Sequence, residues 1–455
     1  MKPLDRYSKR YQLARLWVKF TLGKLFLRRV EIRGLDKIDP KKPIILAPNH
    51  QNALLDALLT TTSLKQQPVF LARADIFEKD FFCAVLRWMR MLPVYRIRDG
   101  YDSLKKNEDI FDQCVNYLGT KNTLILFPEG DHSDKRHLRP LKKGLARIAF
   151  EAEKKHGCEL GLQIIPVGID YSDYRKFRGR ATIIIGDPIE MKSLQESFNE
   201  NPQKGIRKLN LRIQEGIEPH MIEIPWMEFY DDILNIRTVY IERFHSKSEG
   251  SEDSLLSHFD SHKKLISILG EWIKKDKGKI EKITSKVKVY FKTLKKLNLR
   301  DHVINNAPYS SLELVLKSIV MIICLPLYLY GVVNNYIIFK IPDYFTIKKI
   351  KDTQFRSSIA YVLAFMVLLP LLYTIQTILV AVFTTGWWIP LLYLASLIPA
   401  GLFAIHYSFW YKKIVARWKF NILKSKKNQD LLNLIDLRKT IVDSLDEITA
   451  GSASL

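Results

Sequence analysis

Residues Ala47–Leu59 read "APNHQNALLDALL", and they follow the apolar run "KPIIL" at Lys42–Leu46. The run "KPIILAPN" predicts a buried strand, and "NALLDALL" predicts a helix. One histidine, His50, stands at the mouth of the strand, and one carboxylate, Asp56, follows six residues later. On a continuous helix those positions would be rotated by about 240° and would not meet. They meet if the helix starts only after His50, because Asp56 then points back toward the helix N-terminus. Asn49 or Asn52 is placed to cap such a helix. Asp56 would hold one ring nitrogen and leave the other as a base at the strand tip. That is a base with its orienter and no nucleophile nearby, so the substrate must bring the attacking hydroxyl.

Outward from this stretch, residues 30–215 alternate short β-branched runs with amphipathic segments. The strand candidates are "RRVEIRG", "PIILAPN", "VFLAR", "TLILFP", "LQIIPVGI" and "RATIIIGDPI", with helices expected near 52–64, 81–90, 101–119 and 141–156. The alternation predicts an α/β domain with a mixed, mostly parallel sheet. Ligand sites on such sheets collect at strand C-terminal ends. The polar clusters "NHQN", "RADIFEK" and "PEGDHSDKR" stand there. "FPEG" ends a strand on a glycine that permits close backbone approach to a ligand. Lys135, Arg136, Arg139, Lys142 and Lys143 crowd behind it, a density suited to a phosphoryl group. Arg73 and Lys79 are further cationic candidates.

The 455-residue chain is 47% hydrophobic and carries a formal net charge of +23, which calls for an anionic partner. No nucleic-acid recognition motif appears, and the basic residues flank apolar segments, so the expected partner is a membrane surface. Cys83, Cys114, Cys158 and Cys324 are widely spaced, which predicts isolated thiols in a reducing compartment, with neither a disulfide framework nor a metal site. The N-terminus lacks an apolar core followed by a cleavage site, so a cytosolic N-terminal domain is expected. Residues 1–29 predict an interfacial helix, with Leu13, Leu16, Trp17, Phe20 and Phe26 on one face among basic flanks.

Residues 216–310 predict a basic helical segment. Lys274–Arg300 holds eleven basic residues against two acidic ones, with Ile280, Ile283, Val287, Val289, Phe291 and Leu294 interleaved. A solvated helix face and contact with anionic headgroups are both open readings of it. From Ser357 to Tyr411, 55 consecutive residues carry no formal charge, enough for two membrane helices with a turn near 384–386. Trp387, Trp388, Trp410 and Tyr411 suit interfacial anchors. A further apolar run lies within 311–339 and is interrupted by Pro326, Gly331 and Asn334–Asn335. Five basic residues in Lys340–Arg356 and seven in Lys412–Lys427 place both flanks, and the tail 412–455, on the cytoplasmic side. With the catalytic domain also facing the cytoplasm, 311–339 is expected to be re-entrant or interfacial.

The ordered blocks "NHQNALLD", "LARADIFEKDFF" with "RMLPVYRIRDG", "LILFPEGDHSDKRHLRPLKKGLARIA" and "IIPVGIDY" resemble the glycerolipid acyltransferase family, in particular glycerol-3-phosphate and lysophosphatidate acyltransferases. The resemblance covers about residues 30–215. It implies His50 as catalytic base and Asp56 as its partner. It implies Arg96 as a grip on the acceptor's phosphate, Glu129 and Gly130 in acceptor binding, and Pro166 beside the acyl-donor pocket. Five residues separate His50 from Asp56 where the family usually has four, a form resembling the branch that acts on glycerol-3-phosphate or dihydroxyacetone phosphate. Asp131 and His132 replace the Thr and Arg of the usual "FPEGTRS", which leaves Arg136 or Arg139 to bind phosphate instead.

The expected activity is a membrane-bound O-acyltransfer to a phosphorylated glycerol in phospholipid biosynthesis. Acyl-CoA or an acyl-carrier-protein thioester would be the co-substrate, with no cofactor and no metal. The alternatives are a lysophosphatidate acyltransferase and, from another class, a non-catalytic lipid-binding membrane protein.

Overall fold

The computed structural model describes residues 6–95, 101–173, 177–247, 253–305 and 309–451. The chain forms two compact units, one of residues 1–223 together with 350–359, the other of residues 224–349 together with 360–455.

The first unit opens with α1 (Lys9–Phe20), capped by Ser8, whose Oγ accepts from the Tyr11 amide. The helix expected within residues 1–29 ends at Phe20. A π-helical turn over Thr21–Phe26 follows α1, and the chain then enters strand β1 (Arg29–Arg33). Tyr11, Val18, Leu22 and Leu25 are buried, whereas Leu13, Leu16, Trp17 and Phe20 are exposed. Phe26, expected on the exposed stripe, is buried instead, because the π turn rotates it inward.

The remaining elements run β2 (Ile44–Pro48), α2 (Ala53–Ser63), β3 (Val69–Arg73), α3 (Asp80–Trp88), β4 (Met91–Val94), α4 (Tyr101–Gly119), β5 (Thr123–Ile125), α5 (Gly144–Lys155), β6 (Gln163–Tyr171), β7 (Arg180–Ile185), β8 (Ile189–Glu190), α6 (Lys192–Glu200) and α7 (Pro202–Ile217). The strands form one sheet in the order β1-β7-β6-β2-β5-β3-β4, with β8 on β6. All pairings are parallel except β6 with β7 and β6 with β8. This is the mixed, mostly parallel sheet expected. Strand β4 was not among the sequence candidates, since "MLPV" is short and contains a proline. Pro93 is accommodated there because β4 is the edge strand.

Strand β2 sits between β5 and β6 and is buried on both faces, as near-continuous apolar runs in parallel sheets are. Ile45 and Ala47 point into a core shared with Leu124, Ile164, Leu118, Phe150, Leu209 and Ile213. Each of the Ile, Leu and Phe side chains contributes roughly 1.5–3 kcal/mol by leaving water. The register aligns Leu46 with Ile125 and Pro48 with Val167, so the ends of β2, β5 and β6 open at one edge.

The second unit is helical: α8 (Tyr230–Lys247), α9 (Leu255–Lys275), α10 (Lys277–Lys296), α11 (Asp301–Asn305), α12 (Ser311–Ile323), α13 (Leu325–Lys349), then, past α14 (Thr353–Tyr361), α15 (Leu369–Phe383), α16 (Trp388–Ser425) and α17 (Gln429–Gly451). In α10, Ile280, Ile283, Val287 and Leu294 turn inward and Val289 outward. Lys277, Lys279, Lys288 and Lys296 meet Glu228, Glu447, Asp232 and Asp430. That apolar stripe is therefore a packing seam, and part of the basic excess is neutralised within the unit.

Two helical stretches are long and apolar enough to cross a membrane, Phe355–Phe383 and Trp388–Ser425, with the break at 384–386 where the turn was expected. Helices α12 and α13 meet at a bend of 52°, the geometry of a broken span or a re-entrant loop. The interruptions foreseen at Gly331 and Asn334–Asn335 do not break α13. Pro326 falls in its first turn, where a missing amide costs nothing. Gly331 lies where a Cβ would collide with the Ala400 carbonyl, so its absence admits close contact between α13 and α16. Asn335 is buried and satisfied by the Leu397 carbonyl and the Tyr373 hydroxyl, and Asn334 accepts from Tyr393.

Candidate active site

His50 stands two residues past β2, in the loop entering α2. Its Nδ1 lies 2.9 Å from Asp56 Oδ2. The same carboxylate oxygen accepts from the amides of Gln51 and Asn52, each at 2.7 Å, and Oδ1 accepts from the Tyr171 hydroxyl at 2.8 Å. Asp56 is fully buried with four donors around it, the arrangement that makes a buried charge tolerable. It also caps the helix entrance, which neither asparagine does with its side chain. Asn49 instead clamps β2 to β6, donating to the Ile169 carbonyl at 3.1 Å and accepting from the Ile169 amide at 2.6 Å. Asn52 occupies the cap position without a side-chain cap bond. The turn forces Ala53 to a φ of 40°, a left-handed conformation that costs a residue with a Cβ about 1–2 kcal/mol. The bonds from the Gln51 and Asn52 amides to Asp56 span Ala53 and hold it there.

Glu129 supports the loop from beneath. Its Oε1 accepts from the His50 amide at 2.7 Å and Oε2 from the Arg139 amide at 3.0 Å. Burial pushes its carboxyl up to about 7, against the two amide bonds that favour ionisation. Both oxygens are thus occupied by backbone, and the residue ties "NHQN" to the "FPEG" loop. Gly130 has a φ of 68°, and a Cβ there would press on Lys142, so glycine suits this position on two counts.

The His50 ring stacks on Phe127 at 4.1 Å and 23°. His132 meets it edge-on at 5.6 Å. Nε2 of His50 has no hydrogen-bond partner among the described residues, and the side chain is 15% exposed. An imidazole with one nitrogen fixed by a buried carboxylate and the other open is equipped to take a proton from a hydroxyl.

The predicted cations divide. Arg136 is buried, paired with Asp170 and donating to the Tyr171 carbonyl, so it braces the strand that carries the Tyr171 hydroxyl. Arg139 lies at the rim, donating to the His132 carbonyl at 3.2 Å and standing 3.9 Å from Asp131. Arg73 pairs with Asp75 and covers the ring of Phe355 at 5.6 Å. Lys143 reaches Gln203, away from the base. Pro166 is buried in β6, its ring filling the space above Gly216, and its carbonyl accepts from the Gly186 amide. Arg96 lies outside the described residues. Among the described residues no cluster suited to a metal ion occurs.

Sequence reasoning missed Tyr171 and Phe127, whose neighbourhood was quoted but not their roles. It also missed the return of residues 350–359 to this unit. There Asp352 Oδ2 lies 3.3 Å from His132 Nε2, Phe355 packs edge-on against His132 at 4.7 Å, and the Ser358 hydroxyl donates to the Asn52 carbonyl at 3.3 Å.

Comparison with known proteins gives this arrangement a family. The acyltransferase family model matches residues 29–170, a stretch that contains His50, Asp56, Phe127 and Glu129. Residues 29–170 carry an acyltransferase domain. The domain is similar to the glycerol-3-phosphate O-acyltransferase 1 of Saccharomyces cerevisiae, 26% identical over 201 residues, which cover 44% of this chain and 25% of the relative. It is also similar to a chloroplastic 1-acyl-sn-glycerol-3-phosphate acyltransferase of Brassica napus, 26% identical over 168 residues, covering 36% and 43%. An uncharacterised acyltransferase of Schizosaccharomyces pombe aligns over 388 residues at 22% identity, covering 66% of this chain and 56% of the relative. The chain thus spans between a quarter and about half of the length of these curated relatives. Among solved structures, the 1-acyl-sn-glycerophosphate acyltransferase PlsC of Thermotoga maritima matches with 19% identity and a TM-score of 0.31, covering 44% of this chain and 79% of that one.

Proposed function

We propose that this chain is a membrane-bound O-acyltransferase. It would move a fatty acyl group from a thioester to the hydroxyl of glycerol-3-phosphate or a related phosphorylated glycerol. The observation that carries this is the His50 imidazole, fixed through Nδ1 by buried Asp56 and open at Nε2. Nε2 takes the proton of the acceptor hydroxyl as its oxygen attacks the thioester carbonyl. Backbone amides of the surrounding loops stabilise the tetrahedral oxyanion, which collapses by breaking the C–S bond. The imidazolium returns the proton to the departing thiolate, so no acyl-enzyme forms.

Glycerol-3-phosphate is favoured as acceptor by the five-residue His50–Asp56 spacing and by the name of the yeast relative. Lysophosphatidate is the second reading, supported by the name of the Brassica relative. The donor is acyl-CoA, with acyl carrier protein as the alternative carrier. The helices Phe355–Phe383 and Trp388–Ser425 anchor the enzyme, and the exposed Leu13, Leu16, Trp17 and Phe20 lie in the interface with the domain facing the cytoplasm.

The test is acyl transfer from radiolabelled acyl-CoA to a panel of glycerol-3-phosphate, dihydroxyacetone phosphate and lysophosphatidate, using the full chain in membranes. Incorporation into at least one acceptor, lost on His50→Ala, is the expected result. Undiminished transfer by His50→Ala would remove the proposed base. Arg96→Ala should raise the acceptor KM and leave the donor KM alone.

A further inference from the structure

We infer that residues 350–359, and Phe355 above all, form a wall of the acceptor site that restricts the enzyme to an unacylated phosphorylated glycerol. The inference rests on the acyltransferase reading above and deepens it.

The open nitrogen of His50 can be reached only past what surrounds its ring. Phe127 covers one face. His132 stands edge-on to the ring with its own imidazole 6% exposed. What buries His132 is the distant segment: Phe355 edge-on at 4.7 Å and Asp352 on Nε2 at 3.3 Å. Arg73, on the end of β3, closes over the far side of Phe355 at 5.6 Å. The order is therefore His50, His132, Phe355, Arg73, four rings or planes packed in series from the base outward.

The segment is built in. Ser358 is 1% exposed and donates to the Asn52 carbonyl, in the turn that Asp56 caps, and the Arg356 Nε donates to the Ile350 carbonyl. A displaceable strap would not bury a serine against the catalytic turn. A small acceptor needs room only for a three-carbon backbone and its phosphate. A lysophosphatidate must also lay an ester and an alkyl chain beside the base, and the His132–Phe355 pair occupies ground next to it. The carboxylate of Asp352 keeps His132 turned into that position.

The wall predicts a change of acceptor preference, which a merely structural role would not produce. In detergent-solubilised full-length enzyme, kcat/KM is measured for glycerol-3-phosphate and for a short-chain lysophosphatidate, with the acyl-CoA KM alongside. Phe355→Ala should raise the lysophosphatidate-to-glycerol-3-phosphate ratio at least tenfold and leave the acyl-CoA KM within twofold. Phe355→Leu, a milder change that keeps the packing should the alanine variant fail to fold, should shift the ratio the same way by a few fold. Asp352→Ala should shift it in that direction too, and Asp352→Asn, which retains the shape, should shift it less.

An unchanged ratio in folded Phe355→Ala overturns the proposal, as does a wild type that already prefers lysophosphatidate. A rise in kcat for both acceptors equally would mark an inhibitory strap instead and also overturn it. Loss of His50 dependence would defeat the acyltransferase mechanism itself, so the two failures are separable.

Discussion

On one side of His50, the contacts come from the next six residues and from the ends of the neighbouring strands. Asp56, the amides of Gln51 and Asn52, Tyr171 and Glu129 form a closed ring of bonds around one turn. On the other side, His132 depends on Asp352 and Phe355, which are 220 and 223 residues away in sequence. The first side is buried, with both oxygens of its central carboxylate engaged. The second is aromatic and ends half-exposed at Asp352. On the reading proposed above, proton transfer belongs to the local side and discrimination between acceptors to the assembled side. Asp56 and the two amides lie within six residues of the base, while Tyr171 and Glu129 close the ring from 115 and 79 residues away.

The comparison breaks most sharply at His50. His50→Ala should lower acyl transfer by at least about 10³-fold while the protein stays folded and membrane-bound, since a positioned general base contributes about 10²–10⁴-fold. Steady-state assays with sedimentation of the membrane fraction read both outcomes. Asp56→Asn should lower kcat by about 10²-fold, with little change in either KM, because it keeps the volume but loses the charge that aims the imidazole.

Glu129 tests whether the local side is tuned as well as closed. A free glutamate ionises near 4.5, but here only near 7, so between those values the folded state holds more protons than the unfolded one. Stability should therefore fall as pH rises from about 4.5 to about 7 and level off above, by at most about 3 kcal/mol. Glu129→Gln should flatten that slope in thermal denaturation followed across pH. The smallest effect belongs to Tyr171→Phe, which removes one of four donors to Asp56. A loss of about 1–2 kcal/mol of stability is expected, with a several-fold fall in kcat, measured by denaturation and by assay. A Tyr171→Phe loss as large as that of Asp56→Asn would mean that the ring of bonds acts as one unit.

This difference in construction also decides what the sequence revealed. The His50–Asp56 contact was legible because helix geometry over seven residues allows one solution. The sheet was legible because β2 and β6 are uniformly apolar and β-branched. Arg136 looked like a phosphate ligand because nothing near "SDKRHLR" predicts a buried pairing with Asp170, a partner on another strand. Asn49 looked like a helix cap because its bond to Ile169 spans 120 positions. The stretch "KDTQFRSS" at 351–358 looked like a basic lead-in to an apolar run. Only the folded chain shows that its aspartate and phenylalanine close over His132.

One dimension of the second unit carries its own consequence. Helix α16 runs unbroken for 38 residues, about 57 Å at 1.5 Å per residue. Hydrocarbon in a bilayer is about 30 Å thick. The uncharged stretch from Trp388 to Tyr411 is nearly matched to that thickness, and Lys412, Lys413, Arg417, Lys419 and Lys424 fall on the remainder. Were the helix to cross, about four turns of it would extend past the hydrocarbon, with Arg417 turned inward onto the Val303 and His302 carbonyls and Lys412, Lys413, Lys419 and Lys424 left exposed. Those exposed lysines would draw phospholipids with acidic heads, so the lipids nearest this protein would differ in composition from those of the surrounding bilayer.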